Sequence, residues 1–417
     1  MAGARLPVAV LGGGAYAARL VEVIAGAAGL PALDLRLHAR DRDRLAVIAA
    51  HAAARLRAAG ADHELRACAG LDEAVDGAAA VVLLIRIGGL AARAHDEGFP
   101  GRFNQVGDEG VGLGGMANAW RTVPALEHIA ARIAARAPAA RVLNLMAPLG
   151  VTTRLLVERG LSAVGLCELP VVTLSRWRAN AAQASAARAD AAPLAYAGLN
   201  HLGFFWCPEM GPLDHPVLRS AIELGEVPVG LAHRVGAAPL HYFVDVFEAD
   251  AARRIGRRRQ PGRAAELAAL RDQLVQRFRA APGAAAEALA RRPTPWFDLA
   301  LVPALAAALG GPVYRGPLDV PGGGALAEAP APVVIELMGE LDAGGARLDP
   351  VPERPAPVRE LLGRLARADD LLYAAAVRRD RAILADALAE LPLPLDQPTR
   401  AAALDAICFA VPGEEAR

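Results

Sequence analysis

Two short stretches carry the residue types best able to do chemistry in this chain. Gly165-Leu166-Cys167-Glu168-Leu169-Pro170 sets a thiol beside a carboxylate, and Gly198-Leu199-Asn200-His201-Leu202-Gly203 supplies an imidazole further on. A thiolate and a neutral imidazole are borderline-to-soft ligands that suit a divalent first-row metal. If the fold brings Cys167 and His201 together, coordination positions stay open for the oxygens of a substrate. A lone cysteine and a lone histidine also suit a buried core. The elements around them must decide between the two readings.

The first element is the apolar run Val8-Ala9-Val10-Leu11, which ends in Gly12-Gly13-Gly14-Ala15-Tyr16-Ala17. A helical pattern follows over 18–27, with Leu20, Val21 and Ile24 on one side. Strand, glycine turn and helix are the setting of a dinucleotide fingerprint, with Gly12 and Gly14 as the first two glycines and Ala17 in the third place. Glycines let the backbone approach a pyrophosphate, and the helix N-terminus offers oriented N–H groups. The next strand, 33–37, runs into His38-Ala39-Arg40-Asp41-Arg42. An acid there would hold the ribose hydroxyls, but this chain has Ala39 and then Arg40. Arg40 could accept a 2′-phosphate, so NADP stands beside NAD as the expected cofactor.

Further strands are expected at 79–85, 141–145 and 333–337, and helices at 43–59, 116–135, 151–159, 264–281, 296–309, 358–375 and 379–389. Arg86 to Glu97 follows the first of these strands and brings Arg93, Asp96 and Glu97 towards the carboxyl ends of the strands, where ligands bind in such folds. The glycine-rich stretch Gly107 to Gly115 reads as a loop that contains Glu109. The stretch 196–206 reads as a strand carrying His201, 178–193 is Ala-rich and weakly patterned, and 312–332 reads as a Pro- and Gly-rich loop. The expected fold class is α/β. A Rossmann-type, doubly wound parallel sheet fills 1–165. A C-terminal α+β, mainly helical domain with the metal and substrate residues fills 166–417, in the manner of lactate and malate dehydrogenases.

Composition narrows the function. The 45 basic and 45 acidic residues cancel, so neither nucleic acid nor an anionic membrane is an expected partner. There is no lysine, which excludes a Schiff-base lysine and the usual phosphate-loop NTPase. The 4 cysteines have no regular spacing, so no disulfide framework is expected. The first residues lack the pattern of a signal peptide and no apolar run suits a bilayer, so a cytoplasmic protein is expected.

The order of these pieces resembles the family-4 glycoside hydrolases, the NAD- and manganese-dependent 6-phosphoglycosidases and their galacturonidase relatives. The resemblance rests on Val10-Leu11-Gly12-Gly13-Gly14, on Arg86-Ile87-Gly88-Gly89-Leu90 through Arg93 to Asp96-Glu97, and on Gly114-Gly115 with Trp120-Arg121-Thr122-Val123-Pro124. It continues through Gly165-Leu166-Cys167 and Leu199-Asn200-His201-Leu202-Gly203. The resemblance implies Mn²⁺ or another divalent metal on Cys167 and His201. It implies a dinucleotide on Gly12, Gly13, Gly14 and Tyr16, and a sugar or phosphosugar near Arg93, Glu109 and Asn200. It also implies a homodimer or homotetramer. The family's chemistry is not the usual two-carboxylate hydrolysis. Hydride leaves C3 of the sugar, the ketone acidifies C2, and a base removes that proton while the metal steadies the enediolate. The group at C1 is eliminated, water adds, and hydride returns.

The chain departs from the family where the sugar is read. The family's Asn-Pro is Ala147-Pro148, the residue after the metal cysteine is Glu168, and Pro239 falls where the family's tyrosine base is expected. Tyr242 and His241 follow closely and could substitute. A later Gly-Gly before an aromatic-Ser-Glu box is replaced by Thr294-Pro295-Trp296-Phe297-Asp298. Glu168, Tyr242 and His241 are therefore the candidate catalytic residues. Three functions follow: a glycosidase of altered specificity; an NAD(P)-dependent oxidoreductase, epimerase or lyase using the same hydride and enolate steps; or a non-catalytic dinucleotide-binding protein.

Overall fold

Val8 to Leu11 are completely buried, as a strand covered on both faces requires. They form the middle of β1 (Leu6–Gly12), which pairs in parallel with β2 (Leu33–His38) and β4 (Ala80–Leu84). With β3 (Glu64–Ala67), β5 (Arg141–Asn144) and β6 (Ser162–Gly165), the parallel strands lie in the order β3-β2-β1-β4-β5-β6. That order is the doubly wound dinucleotide-binding arrangement, so the fold class is as expected. The computed structural model describes residues 5–184, 192–248, 262–285 and 287–409.

Helices cover both faces. One core packs α1 (Ala17–Gly26) and α2 (Arg42–Ala58) through Leu20, Ile24 and Ile48. The helix Arg263–Ala280 joins this core through Leu274 and Phe278. The other core holds α3 (Leu71–Val75), α5 (Gly112–Arg136) and α6 (Leu149–Glu158), with Leu126, Ile133 and Leu155 buried among them. The helix Ala356–Arg378 lies on that core. Between β4 and α5 runs α4 (Gly89–Gly98), and after β6 comes α7 (Leu169–Ala184). Of the weakly patterned stretch 178–193, the part up to Ala184 continues α7, and 185–191 lies outside the described residues. No helix among the described residues is long and apolar enough to cross a membrane.

The structure corrects three expectations. The stretch 196–206 is not one strand. It is β7 (Ala195–Ala197) and β8 (Phe204–Trp206) around a turn, completed by β9 (Ala238–Pro239) in a small antiparallel sheet. His201 sits in that turn with φ 67°, a left-handed conformation that no strand residue adopts. Gly112 to Gly115 are not loop but the first turn of α5. Part of the expected loop 312–332 is β10 (Tyr314–Pro321), which joins β11 (Val334–Asp342) and β12 (Gly345–Leu348). These strands run antiparallel and extend the main sheet beyond β6. Pro317 and Pro321 are tolerated because β10 meets β6 at one residue pair, Asp319 with Gly165, and is otherwise free on that side.

Candidate active site

The glycine turn is built as a cradle. Gly12, Gly13 and Gly14 have φ values of 91°, 83° and 52°. A Cβ on Gly12 would stand 2.7 Å from the Leu84 carbonyl oxygen, because β1 and β4 pass backbone to backbone there. A Cβ on Gly14 would meet nothing within 4 Å, so that side of the turn is open to a ligand. The donor pattern and this opening fit a dinucleotide pyrophosphate. Gly12→Ala should therefore lower both thermal stability and affinity for NAD. Gly14→Ala should leave the melting temperature within about 2 °C, since a single left-handed alanine costs about 1 kcal/mol. It should still weaken NAD by about tenfold, which fluorescence titration would measure. Unchanged affinity in Gly14→Ala would place the nucleotide elsewhere. Arg40 stands exposed beyond β2, next to Asp41, whose side chain caps α2 by accepting from the Arg44 backbone N–H at 2.9 Å. NAD and NADP titrations of Arg40→Ala would show whether it reads a 2′-phosphate.

Tyr16 follows the turn, and its hydroxyl is buried without a hydrogen-bond partner. The Arg292 guanidinium lies 4.8 Å from the centre of the Tyr16 ring and 5.0 Å from that of Trp296. Burial, with Arg86 and Arg93 nearby, lowers the Arg292 pKa to about 10. Arg86 grips Glu109 with two bonds, at 2.6 and 2.8 Å. Arg93 bonds Glu109 and Glu97, each at 2.7 Å. Burial alone would raise Glu109, but Arg86 and Arg93 outweigh it and hold the carboxyl below its ordinary range. The loop carrying Glu109 is packed backbone on backbone: a Cβ on Gly107 would fall 2.0 Å from the Glu97 carbonyl oxygen, and one on Gly114 would fall 2.2 Å from that of Asp108. Asp96, expected near the site, is instead buried and bonded to Arg121.

His201 faces this group. Burial lowers its pKa to about 4, and Glu109 restores only part of the loss, so the imidazole is neutral. Its Nδ1 is sealed from solvent and has no hydrogen-bond partner among the described residues. Its ring lies nearly flat on Tyr242, with centroids 4.3 Å apart and planes 12° apart. His241 packs on the Tyr242 ring, also at 4.3 Å. Pro239 is buried in β9 and carries no acid–base group. The tyrosine that packs on His201 is Tyr242.

Cys167 leaves the end of β6, buried, and its thiol is pushed well up by burial and by Glu336, Glu168 and Asp319. Glu168 is largely shielded and raised by burial; among the described residues it has no side-chain partner. Asn200 donates to Glu336 at 3.1 Å, which ties the His201 turn to the carboxylates beside Cys167. Among the described residues, no three of His, Cys, Asp and Glu gather as a metal cluster. Cys167 and His201 are linked indirectly, through Glu336 beside the thiol and Asn200 next to the imidazole. An orphaned, neutral imidazole nitrogen and a thiol fit a divalent ion that keeps open positions.

Sequence reading missed Arg292, Asp319 and Glu336. For Glu336 a signal was present, since a carboxylate stands inside the apolar strand Val333-Val334-Ile335-Glu336-Leu337. Asp319 was hidden by the loop-like residues around it, and Arg292 is one of many surface-like arginines.

Residues 7–180 match the family described as Family 4 glycosyl hydrolase. A Bacillus subtilis protein named probable 6-phospho-beta-glucosidase is 30% identical over 202 residues, covering 47% of this chain and 45% of the relative. The chain thus matches less than half the length of that relative. A 6-phospho-beta glucosidase of Thermotoga maritima, solved with manganese, NAD+ and glucose-6-phosphate, superposes with a TM-score of 0.80 at 19% identity, over 97% of each chain. A 6-phospho-alpha-glucosidase from gut microorganisms, in complex with NAD and Mn2+, gives 0.78 at 19% identity, again over 97% of each.

Proposed function

We propose that this chain, whose residues 7–180 match the Family 4 glycosyl hydrolase model, is a hydrolase of anionic glycosides that uses NAD and a divalent metal. The observation that carries this reading is a line of neighbouring groups, joined by contacts or by their charges. It runs from the glycine turn through Tyr16, Arg292, Arg86 and Glu109 to His201 and Tyr242. The phosphosugar named with the Thermotoga structure supports the substrate class.

Cys167 and His201 would hold the ion, and the turn of Gly12 to Gly14 the dinucleotide. When bound, the dinucleotide supplies reversible oxidation at C3 and the ion supplies positive charge beside the sugar oxygens, which together make the C2 proton acidic. The chain's own residues do the rest. Arg86 and Arg93 are paired with Glu109 and Glu97, whereas Arg292 pairs with no carboxylate among the described residues and so leaves positive charge for a phosphate or carboxylate on the sugar. Asn200 and Gly110, the residues next to His201 and Glu109, line a cavity that Leu149, Asp369 and Leu372 close from the other side. Glu168 takes the C2 proton, after which the group at C1 departs and water adds. Tyr242 is the alternative acceptor, held beside His201.

The test is exchange at C2 in D₂O across phosphorylated and free sugars, with NAD and Mn²⁺ present. Deuterium should enter C2 only when both cofactors are present. Absence of exchange with every sugar, despite measurable binding, would remove the enolate chemistry. A second reading is an epimerase or lyase, favoured by Ala147 and Pro239 where the family has polar groups. It predicts the same exchange, with no free leaving alcohol from an epimerase and an unhydrated, unsaturated sugar from a lyase, so product analysis separates the readings.

A further inference from the structure

Behind Cys167 lies a set of polar groups that the proposed chemistry does not itself use. Asp319 of β10 and Glu336 of β11 face each other in register, and both are completely buried. Glu336 accepts from the Tyr196 hydroxyl and, at 3.1 Å, from Asn200 Nδ2. Its backbone exchanges two hydrogen bonds with Gly198, at 2.8 and 3.1 Å. Neither Asp319 oxygen receives an N–H or O–H from another of the described residues. Two touching carboxyls at the bottom of a sheet are compatible only if they share a proton. Burial pushes both up, Asp319 well above the ordinary carboxyl range and Glu336 to about 7. Glu336 is the acceptor at the centre, taking hydrogen bonds from the Tyr196 hydroxyl and from Asn200 Nδ2.

That arrangement fixes the Asn200 amide. A carboxylate only accepts, so the NH₂ end of Asn200 must face Glu336. The carbonyl end, Oδ1, meets no donor among the described residues, and Asn200 lines the cavity shared with Gly110, Leu149 and Leu199. The turn cannot relax to release it: a Cβ on Gly198 would lie 2.2 Å from Gly203 Cα, and one on Gly203 would lie 2.0 Å from the Tyr196 hydroxyl oxygen.

We propose that Glu336, backed by Asp319, is a positioning residue that locks Asn200 with its carbonyl towards the cleft, making it an acceptor for one sugar hydroxyl. The role in sugar recognition rests on the function proposed above; the amide orientation does not. The site therefore selects a hydroxyl that donates. It disfavours a group that only accepts at that carbon.

Two measurements test this. The first needs no substrate. Asn200→Asp sets a carboxylate against Glu336 and should lower the melting temperature by about 5 °C. Adding Glu336→Gln supplies an amide donor to that new carboxylate and should restore most of the loss. No restoration in the double variant overturns the orientation. The second is calorimetric titration of the protein, loaded with NAD and Mn²⁺, with glucose 6-phosphate and its 2-, 3- and 4-deoxyfluoro derivatives. Fluorine accepts but cannot donate. At one of these carbons the wild type should bind the fluoro sugar about tenfold more weakly. Glu336→Gln can donate to Oδ1 and turn the amide around, so the gap should shrink below about threefold. An equal gap in both proteins, or none at any carbon, overturns the role in recognition. If the wild type binds no glucose 6-phosphate, the sugar-phosphate reading falls, and the thermal test still decides the orientation.

Discussion

Glu168→Gln is expected to lose hydrogen–deuterium exchange at C2 by about a thousandfold, while NAD and Mn²⁺ bind as in the wild type. A positioned general base contributes on the order of 10²–10⁴ in rate. Glutamine keeps the size and polarity of the side chain and removes only its basicity. The geometry singles out Glu168 because its carboxylate, alone in the group beside Cys167, has no side-chain partner among the described residues. Glu336 and Asp319 are bound to each other, and Glu109 and Glu97 are committed to arginines. Tyr242→Phe keeps the ring stacked on His201 and should cost less, as should His241→Asn, which touches the site through Tyr242. If Glu168→Gln exchanges normally and Tyr242→Phe does not, Tyr242 is the base and Glu168 supports it.

The parallel half of the fold could be read from the sequence because its strands are buried on both faces. Val8 to Leu11 and Ala80 to Leu83 are unbroken apolar runs, and such runs announce themselves without any partner. The strand β3 could not be read. Its residues Glu64 to Ala67 lie at the sheet edge and are largely solvated, so nothing apolar marks them. The strand β10 was hidden for another reason. Its prolines suggest a loop, and only its single-pair contact with β6 makes them admissible in a sheet. That condition is a property of the assembled sheet and not of the local sequence.

The site divides in the same way. Cys167, His201 and the glycine turn stand out because their residue types are rare or their spacing is specific. The left-handed backbone at His201 was not visible, because β7 and β8 must pair before the turn between them has a shape. Glu109 could be placed near the site, but its grip by Arg86 and Arg93 needed β4, α4 and the glycine loop brought together. Arg292 reaches Tyr16 across most of the chain length, a juxtaposition that no local pattern encodes.

Cys167→Ser is expected to lose Mn²⁺ and turnover together, each by more than about a hundredfold. Removing an outer-shell partner of a metal already costs 10–100-fold in affinity, and removing a ligand should exceed that. Serine is nearly isosteric but hard, and its hydroxyl is far less acidic than a thiol, so it cannot supply the soft anionic donor. The buried surroundings sharpen the loss. Glu336, Glu168 and Asp319 crowd the position, and no third His, Cys, Asp or Glu among the described residues completes a cluster that could hold the ion without Cys167. The variant should still fold, because the side chain is small and packed at the end of β6, and it should still bind NAD, because the glycine turn lies at the end of β1. Metal analysis after gel filtration, alongside NAD titration, reads the two sites separately. Full Mn²⁺ occupancy in Cys167→Ser would remove Cys167 from the metal site and leave His201 to find its partner elsewhere.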